Sequence, residues 1–225
     1  MKVKVNGKEF RDFLDKISAV NNEVNITAKE NLLSAYTISP DQIYLIDTWM
    51  DAEVEREGSI GIDVKELKKI VKSADEVVLE LKDNKLHITK RKGTNTSKFT
   101  LSVISVEEPN KIDYEQFKET ADKVSIETGE LLQMIEDARV IEAYTTTLLI
   151  EEGYFKIKAF SETAEYEGLI KEAIGSKKVV VNTDILKSCV SKLKGNILDL
   201  YIQEDKPLVI QTINTTYVIA PRVEG

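Results

Sequence analysis

The sequence predicts an α+β fold made of two similar domains, each of antiparallel sheets with two helices on one face. Two observations lead there. Strand-like segments follow one another across links of turn length, which only antiparallel meanders allow. The order of elements in the first half of the 225 residues also returns in the second half.

Residues 7–19 place Phe10, Phe13, Leu14 and Ile17 at helical spacing. Residues 23–28, 32–38 and 42–49 read as strands, with a turn at Ser39-Pro40-Asp41. An acidic loop, 51–57, leads to a strand at 59–62, and Asp63 stands where it caps a helix over 64–74. Strands 77–81, 86–89 and 98–104 follow, turning at Asp83-Asn84 and at Gly93. After residues 106–118 the order repeats as strand 123–127, helix 129–140 and strands 147–151, 155–160 and 164–170. Strand 178–181, helix 183–193 and strands 197–202, 208–213 and 216–219 close the chain.

The repeat holds residue by residue. Phe10, Phe13, Leu14 and Ile17 return 121 positions later as Leu131, Met134, Ile135 and Ala138. Leu67, Ile70 and Val71 return 119 later as Leu186, Cys189 and Val190, and Val77, Leu79 and Leu81 return 121 later as Leu198, Leu200 and Ile202. Three ordered sets at nearly constant offset mark an internal duplication. The expected domains are 1–105 and 119–225, joined by the polar, proline-bearing stretch 106–118. That stretch carries Ile112, Tyr114 and Phe117, which either pin a linker to a domain or offer a binding surface.

Composition narrows the function classes. Apolar residues at 42% and charged residues at 31% are ordinary for a globular protein. No apolar run approaches the roughly 20 residues of a membrane span, and the N-terminus has no signal-peptide pattern. The one cysteine, Cys189, rules out an internal disulfide and fits a reducing compartment. A net charge of −8 argues against tight nucleic-acid binding over the whole surface but leaves room for a local basic stripe.

Such a stripe exists on the helix 64–74. Val64, Leu67, Ile70, Val71 and Ala74 form its apolar side, and Lys65, Lys68, Lys69 and Lys72 cluster nearly opposite. Exposed helix faces are usually charged, so a solvated face is one reading. An ordinary solvated face would mix signs to gain i,i+4 pairs, and here only Glu66 lies between the lysines, off their stripe. The other helices differ. The first shows Lys8, Arg11, Asp12, Asp15 and Lys16, the third Gln133, Glu136 and Asp137, and the fourth Asp184, Lys187, Ser188 and Ser191.

No catalytic pattern emerges. His87 alternates with Leu86 and Ile88 and reads as an exposed strand residue, while Cys189 lies on an apolar helix stripe as a core residue. There is no glycine-rich phosphate loop, no GxSxG and no metal-spaced His or Cys cluster. Asp47, Asp51, Glu53 and Glu55 could be offered as carboxylate metal ligands of a nuclease, but four acids in a chain with 39 are weak grounds. No cofactor is expected.

The run from Ser39 to Asp47, then Ile60-Gly61-Ile62-Asp63 leading to Leu67-Lys68-Lys69-Ile70-Val71-Lys72, resembles the first domain of the archaeal and eukaryotic sliding clamp family, proliferating cell nuclear antigen. Phe99-Thr100-Leu101 and the run from Ile104 to Glu108 resemble the approach to its interdomain connector. Pro207-Leu208 and the closing run from Tyr217 through Ala220-Pro221-Arg222-Val223-Glu224 resemble its C-terminus. The similarity covers the whole chain, and there is no room for a third repeat.

The resemblance implies a ring of three chains with helices lining a hole that holds double-stranded DNA. A closed ring holds DNA by topology, so weak phosphate contact suffices. By position Arg11, Lys69 and Lys72 match the basic pore residues, and Lys65, Lys68 and Lys187 are the further DNA-facing candidates. Glu136 and Asp184 stand where basic residues are usual. Subunits are expected to join through residues 98–104 of one chain and 164–170 of the next, with Lys98, Thr100, Ser102, Val103, Tyr166, Gly168 and Ile170 at the interface. Partner peptides are expected in a groove of Ile112, Tyr114 and Phe117 with Ile38, Ile43, Leu45, Pro207, Val218, Ala220 and Pro221. The implied partners are DNA polymerase, clamp loader, flap endonuclease and ligase, with no membrane. The implied place is the prokaryotic nucleoid, or the nucleus in a eukaryotic or viral setting. A checkpoint-type or heterotrimer-specialised clamp subunit is the alternative.

Overall fold

Alternating apolar residues and tight turns account for most of the architecture, which is described for residues 1–222 in a computed structural model. Val223 and Glu224 of the C-terminal signature lie outside the described residues. The chain divides into two units, Met1–Lys111 and Ile112 onward, and the division falls inside the stretch 106–118.

The first unit runs β1 (Lys2–Asn6), α1 (Gly7–Ser18), β2 (Glu23–Lys29), β3 (Leu32–Ile38), β4 (Tyr44–Asp51), β5 (Glu53–Arg56) and β6 (Gly58–Asp63). It continues with α2 (Val64–Val71), β7 (Glu76–Lys82), β8 (Lys85–Lys92) and β9 (Asn95–Ser102). Its strands pair in the orders β5-β1-β7-β8-β9 and β4-β3-β2-β6. The second unit runs β10 (Asp122–Glu127), α3 (Thr128–Val140), β11 (Thr145–Glu151), β12 (Tyr154–Phe160), β13 (Glu165–Glu172) and β14 (Lys178–Asn182). It ends with α4 (Thr183–Val190), β15 (Ile197–Ile202), β16 (Leu208–Gln211) and β17 (Thr215–Ile219), ordered β10-β15-β16-β17 and β13-β12-β11-β14.

Turn chemistry sets the registers. Glu30-Asn31 and Asp83-Asn84 have positive φ at both central positions, as a two-residue type I′ hairpin requires. Glu152-Gly153 does the same in the second unit. At Gly93-Thr94 only the glycine is left-handed, with φ 55°, which is the II′ arrangement. Helix starts follow sequence too: Asn6, Asp63 and Asn182 accept hydrogen bonds from the first-turn amides of α1, α2 and α4.

Burial matches the helical periodicity. Phe10, Phe13, Leu14 and Ile17 of α1 and Val64, Leu67 and Val71 of α2 join one core with Val3, Val5, Val77 and Leu79 of the sheet. Full burial of each large apolar side chain is worth roughly 1.5–3 kcal/mol. Arg11 ties the two helices together, donating to the carbonyls of Ala74 at 2.6 Å and Val71 at 3.3 Å. A methyl at Gly7 would meet the Ala74 carbonyl oxygen at 2.1 Å, so that approach of α1 requires glycine.

Several expectations are corrected. Residues 2–6 form β1, a strand unread in the sequence although Lys-Val-Lys-Val alternates. The acidic loop 51–57 contains β5, held on β1 by ion pairs Lys2–Glu55 at 2.5 Å and Lys4–Glu53 at 3.2 Å. The helices expected over 64–74 and 183–193 end at Val71 and Val190 and continue as hydrogen-bonded turns. Strand β9 stops at Ser102; Val103 turns its side chain to the core and Ile104 bridges to Gly61. The stretch 106–118 also holds a 3-10 turn, Glu115–Phe117, which its polar sequence hid.

Candidate nucleic-acid interface

The lysine stripe of α2 is partly neutralised in the folded chain. Lys68 pairs with Asp15 of α1 at 2.5 Å and donates to the Ser18 hydroxyl at 3.1 Å. Lys69 pairs with Glu66 one turn away at 2.6 Å, and that hydrogen bond raises its pKa. The expectation that the stripe gains no ion pairs is therefore corrected: Asp15 comes from the neighbouring helix, which a single helical wheel omits, and Lys69 reaches Glu66 on its own helix. Arg11 spends its guanidinium on backbone carbonyls and is half-buried. Lys65 and Lys72 are exposed and make no ion pair among the described residues. Lys8, absent from the expected set, is likewise exposed and unpaired one turn before Arg11, and that i,i+3 spacing could have found it.

The corresponding helices of the second unit carry a closed charge network. Lys187 of α4 pairs with Glu136 of α3 at 2.7 Å. Arg139 of α3 pairs with Asp184 of α4 at 2.9 Å and with Glu136 at 3.7 Å. The Lys187 hydrogen bond holds the Glu136 carboxyl below the usual carboxylate range. Both cations of this face are thus already engaged, Lys187 among them, and free positive charge on the helices concentrates on Lys65, Lys72 and Lys8.

Among the described residues, β9 and β13 each end their sheet with an open edge. The two-residue turn after β8 makes Lys92 and Asn95 a hydrogen-bonded pair, so alternation points the backbone groups of Lys98, Thr100 and Ser102 away from β8. These are the β9 residues expected at a subunit interface; Val103 lies beyond the strand. On β13 the alternation, fixed by the turn at Glu152-Gly153 and the Ser161–Ala164 hydrogen bond, turns Glu165, Glu167 and Leu169 outward. The expected Tyr166 and Gly168 direct their backbone groups to β12, and Gly168 is buried against Met134 and the Tyr166 hydroxyl. Ile170 falls at the register shift opposite Phe155 and Lys156.

No family model matches the chain. A DNA polymerase sliding clamp from Pyrococcus abyssi is 30% identical over 170 residues, spanning 71% of this chain and 67% of that protein. The chain belongs to the DNA polymerase sliding clamp family. A second such clamp, from Methanococcus vannielii, is 28% identical over 255 aligned residues and covers 100% of this chain and 99% of that one. The PCNA of A. fulgidus, solved with the C-terminal region of FEN-1 bound, superposes with a TM-score of 0.83 at 20% identity, over 100% of this chain and 99% of that one. At that identity the likeness is one of fold, and the fold is the two-domain clamp fold.

In this clamp the expected docking residues fall into local sets. In the first unit Ile38 and Leu45 are cross-strand neighbours, Leu45 buried and Ile38 half-buried, with half-buried Ile43 just before β4. In the second unit Val218 pairs with Val209 and is buried, while half-buried Pro207 and Ala220 flank the neighbouring Leu208–Ile219 pair and Pro221 follows. Ile112 is 41% exposed; Tyr114 and Phe117 are half-buried around the 3-10 turn. Lys118 anchors that turn, donating to Gln211 at 3.2 Å and lying 5.3 Å over the Tyr201 ring.

His87, Cys189, Glu53 and Glu55 take structural places. His87 is half-buried and meets the Thr100 hydroxyl at 3.3 Å. Cys189 is fully buried, and burial pushes its thiol pKa upward, as a core residue requires. Glu53 and Glu55 are spent on Lys4 and Lys2. Among the described residues no helix is long and apolar enough to cross a membrane.

Proposed function

We propose that this clamp closes as a head-to-tail ring of three chains around double-stranded DNA and acts as a non-catalytic platform for replication and repair proteins. The observation that carries the reading is a free edge in each unit, β9 in the first and β13 in the second, within a chain aligned end to end with sliding clamps. Unpaired edges with outward N–H and C=O groups favour strand addition. Joining unlike edges from successive copies closes a ring. The ring acts where its DNA is, in the nucleoid or, in a nucleated cell, the nucleus.

The test is native mass by light scattering. The wild-type chain is expected at three times the 25.4 kDa of one chain. Thr100→Pro removes an outward N–H without removing a β8 ladder bond, and it is expected to leave single chains. An unchanged mass in that variant would move the interface off β9. The neutralised α3–α4 face favours one further reading, a heterotrimer-specialised clamp subunit. In that case the purified chain stays monomeric and assembles only with unlike clamp chains.

Clients are proposed to dock through short peptides on the connector residues Ile112, Tyr114 and Phe117. Polymerase, clamp loader, flap endonuclease and ligase are the proposed clients, and the bound FEN-1 segment on the A. fulgidus clamp supports the flap endonuclease. Replacing Ile112 and Phe117 together by alanine should weaken a flap-endonuclease C-terminal peptide at least about tenfold, or about 1.4 kcal/mol. Calorimetry measures the affinity, and ring mass should stay unchanged. Undiminished affinity would leave these residues as linker anchors only.

A further inference from the structure

The duplication allows the two units to be compared strand for strand, and one sheet edge that is filled in the first is open in the second. In the first unit Gly7 N–H donates to Asp75, so Lys2, Lys4 and Asn6 direct their backbone groups away from β7. Strand β5 occupies that side, with Lys2 opposite Arg56 and Lys4 opposite Glu53, and Val54 packs against the core. In the second unit Thr128 N–H donates to Asn196, which fixes the same phase. Lys123, Ser125 and Glu127 stand 121 positions after Lys2, Lys4 and Asn6 and turn outward from β15.

The counterpart of β5, residues 174–177, forms no strand. The amides of Ser176 and Lys177 donate instead to the Asp122 carboxylate, at 2.8 and 3.0 Å, which holds that segment at the end of β10 rather than along it. Among the described residues no strand pairs with the outer side of β10. A cleft of about 750 Å³ runs beside it, lined by Lys123, Ser125, Tyr154, Lys171 and Ile174 among others. Lys171 Nζ already donates to the outward Ser125 carbonyl at 2.8 Å, and Ile174 is 97% exposed. Glu152 and Glu172 line it too, and Lys123 stands on the open strand itself.

We infer that the outer edge of β10 accepts an extended segment of a partner protein in which acidic residues alternate with apolar ones. The template is β5 itself, Glu53-Val54-Glu55, whose carboxylates lie over Lys4 and Lys2. On β10 the carboxylates meet Lys123 and Lys171, and the apolar residue lies beside Val124 on the core side of the strand. Lys123 then exchanges its present partner, Asp199 at 2.8 Å, which keeps the Ser125 hydroxyl. This docking edge does not depend on ring closure.

The test is amide hydrogen exchange on the full-length chain with a peptide copied from residues 52–58. Saturating peptide is expected to slow exchange at Lys123 and Ser125 at least about tenfold. The same peptide with its glutamates changed to lysine should have no effect. Lys171→Ala, which removes one of the two carboxylate partners, should raise the concentration needed. Ser125→Pro removes an outward donor but no β15 bond and should abolish the slowing at Lys123. Unchanged exchange in the wild type overturns the proposal. So does equal slowing by the lysine peptide, or slowing that needs only more protein and no peptide.

Discussion

Changing Lys65 and Lys72 together to glutamate should cut polymerase stimulation at least about tenfold, a loss of about 1.4 kcal/mol, while native mass and melting stay as in wild type. The expectation rests on which lysines are free. A cation already held by a carboxylate offers little to a phosphate, and Lys68 and Lys69 are so held by Asp15 and Glu66. Lys65 and Lys72 are exposed on the same helix without such partners among the described residues. Neutralising Lys69 and Glu66 together as Gln should therefore leave stimulation within about twofold, as befits an exposed pair. A double Lys65/Lys72 reversal with full stimulation would remove α2 from the DNA interface.

The opposite change should be as informative. Glu136→Gln with Asp184→Asn releases Lys187 and Arg139 from the cross-helix network of the second unit. Each additional phosphate neutralised steepens the dependence of log K on log salt by about 0.9. The double variant is thus expected to bind duplex DNA more tightly at low salt, with a slope steeper by up to about 2. Fluorescence anisotropy across a salt series measures it, and an unchanged slope would mean that α3 and α4 do not face the phosphates. Acid should mimic part of this effect. The Lys187 hydrogen bond depresses the Glu136 pKa, so the pair is intact above the usual carboxylate range and is lost as pH falls through the lowered value.

Much of this fold is legible in the sequence because local rules agree with tertiary ones. Phe10, Phe13, Leu14 and Ile17 mark a helix face, and Asp83-Asn84 marks a hairpin by its tolerance of positive φ. Strand β5 escaped because Glu-Val-Glu-Arg looks like solvated loop, and what holds it, the outer edge of β1 with Lys2 and Lys4 and the core that receives Val54, lies far off in the sequence. Charge state on the helices was the least legible feature. Lys69–Glu66 lies within one helical turn, but Lys68–Asp15 and Arg139–Asp184 join helices far apart in sequence. The backbone phase of β13 was likewise out of reach, because it is set by the Glu152-Gly153 turn and the Ser161–Ala164 hydrogen bond, with Ile170 displaced by the register shift opposite Phe155 and Lys156.

The central claim, that this chain holds DNA by enclosing it, is tested most directly by retention on matched circular and linear templates. The clamp is loaded onto nicked circular DNA, half the sample is linearised with a restriction enzyme, and DNA-bound protein is separated by gel filtration at moderate salt. A closed ring with few free cations is expected to stay on the circles and run off the linear molecules. Equal retention on both would mean ordinary surface binding and would contradict the ring.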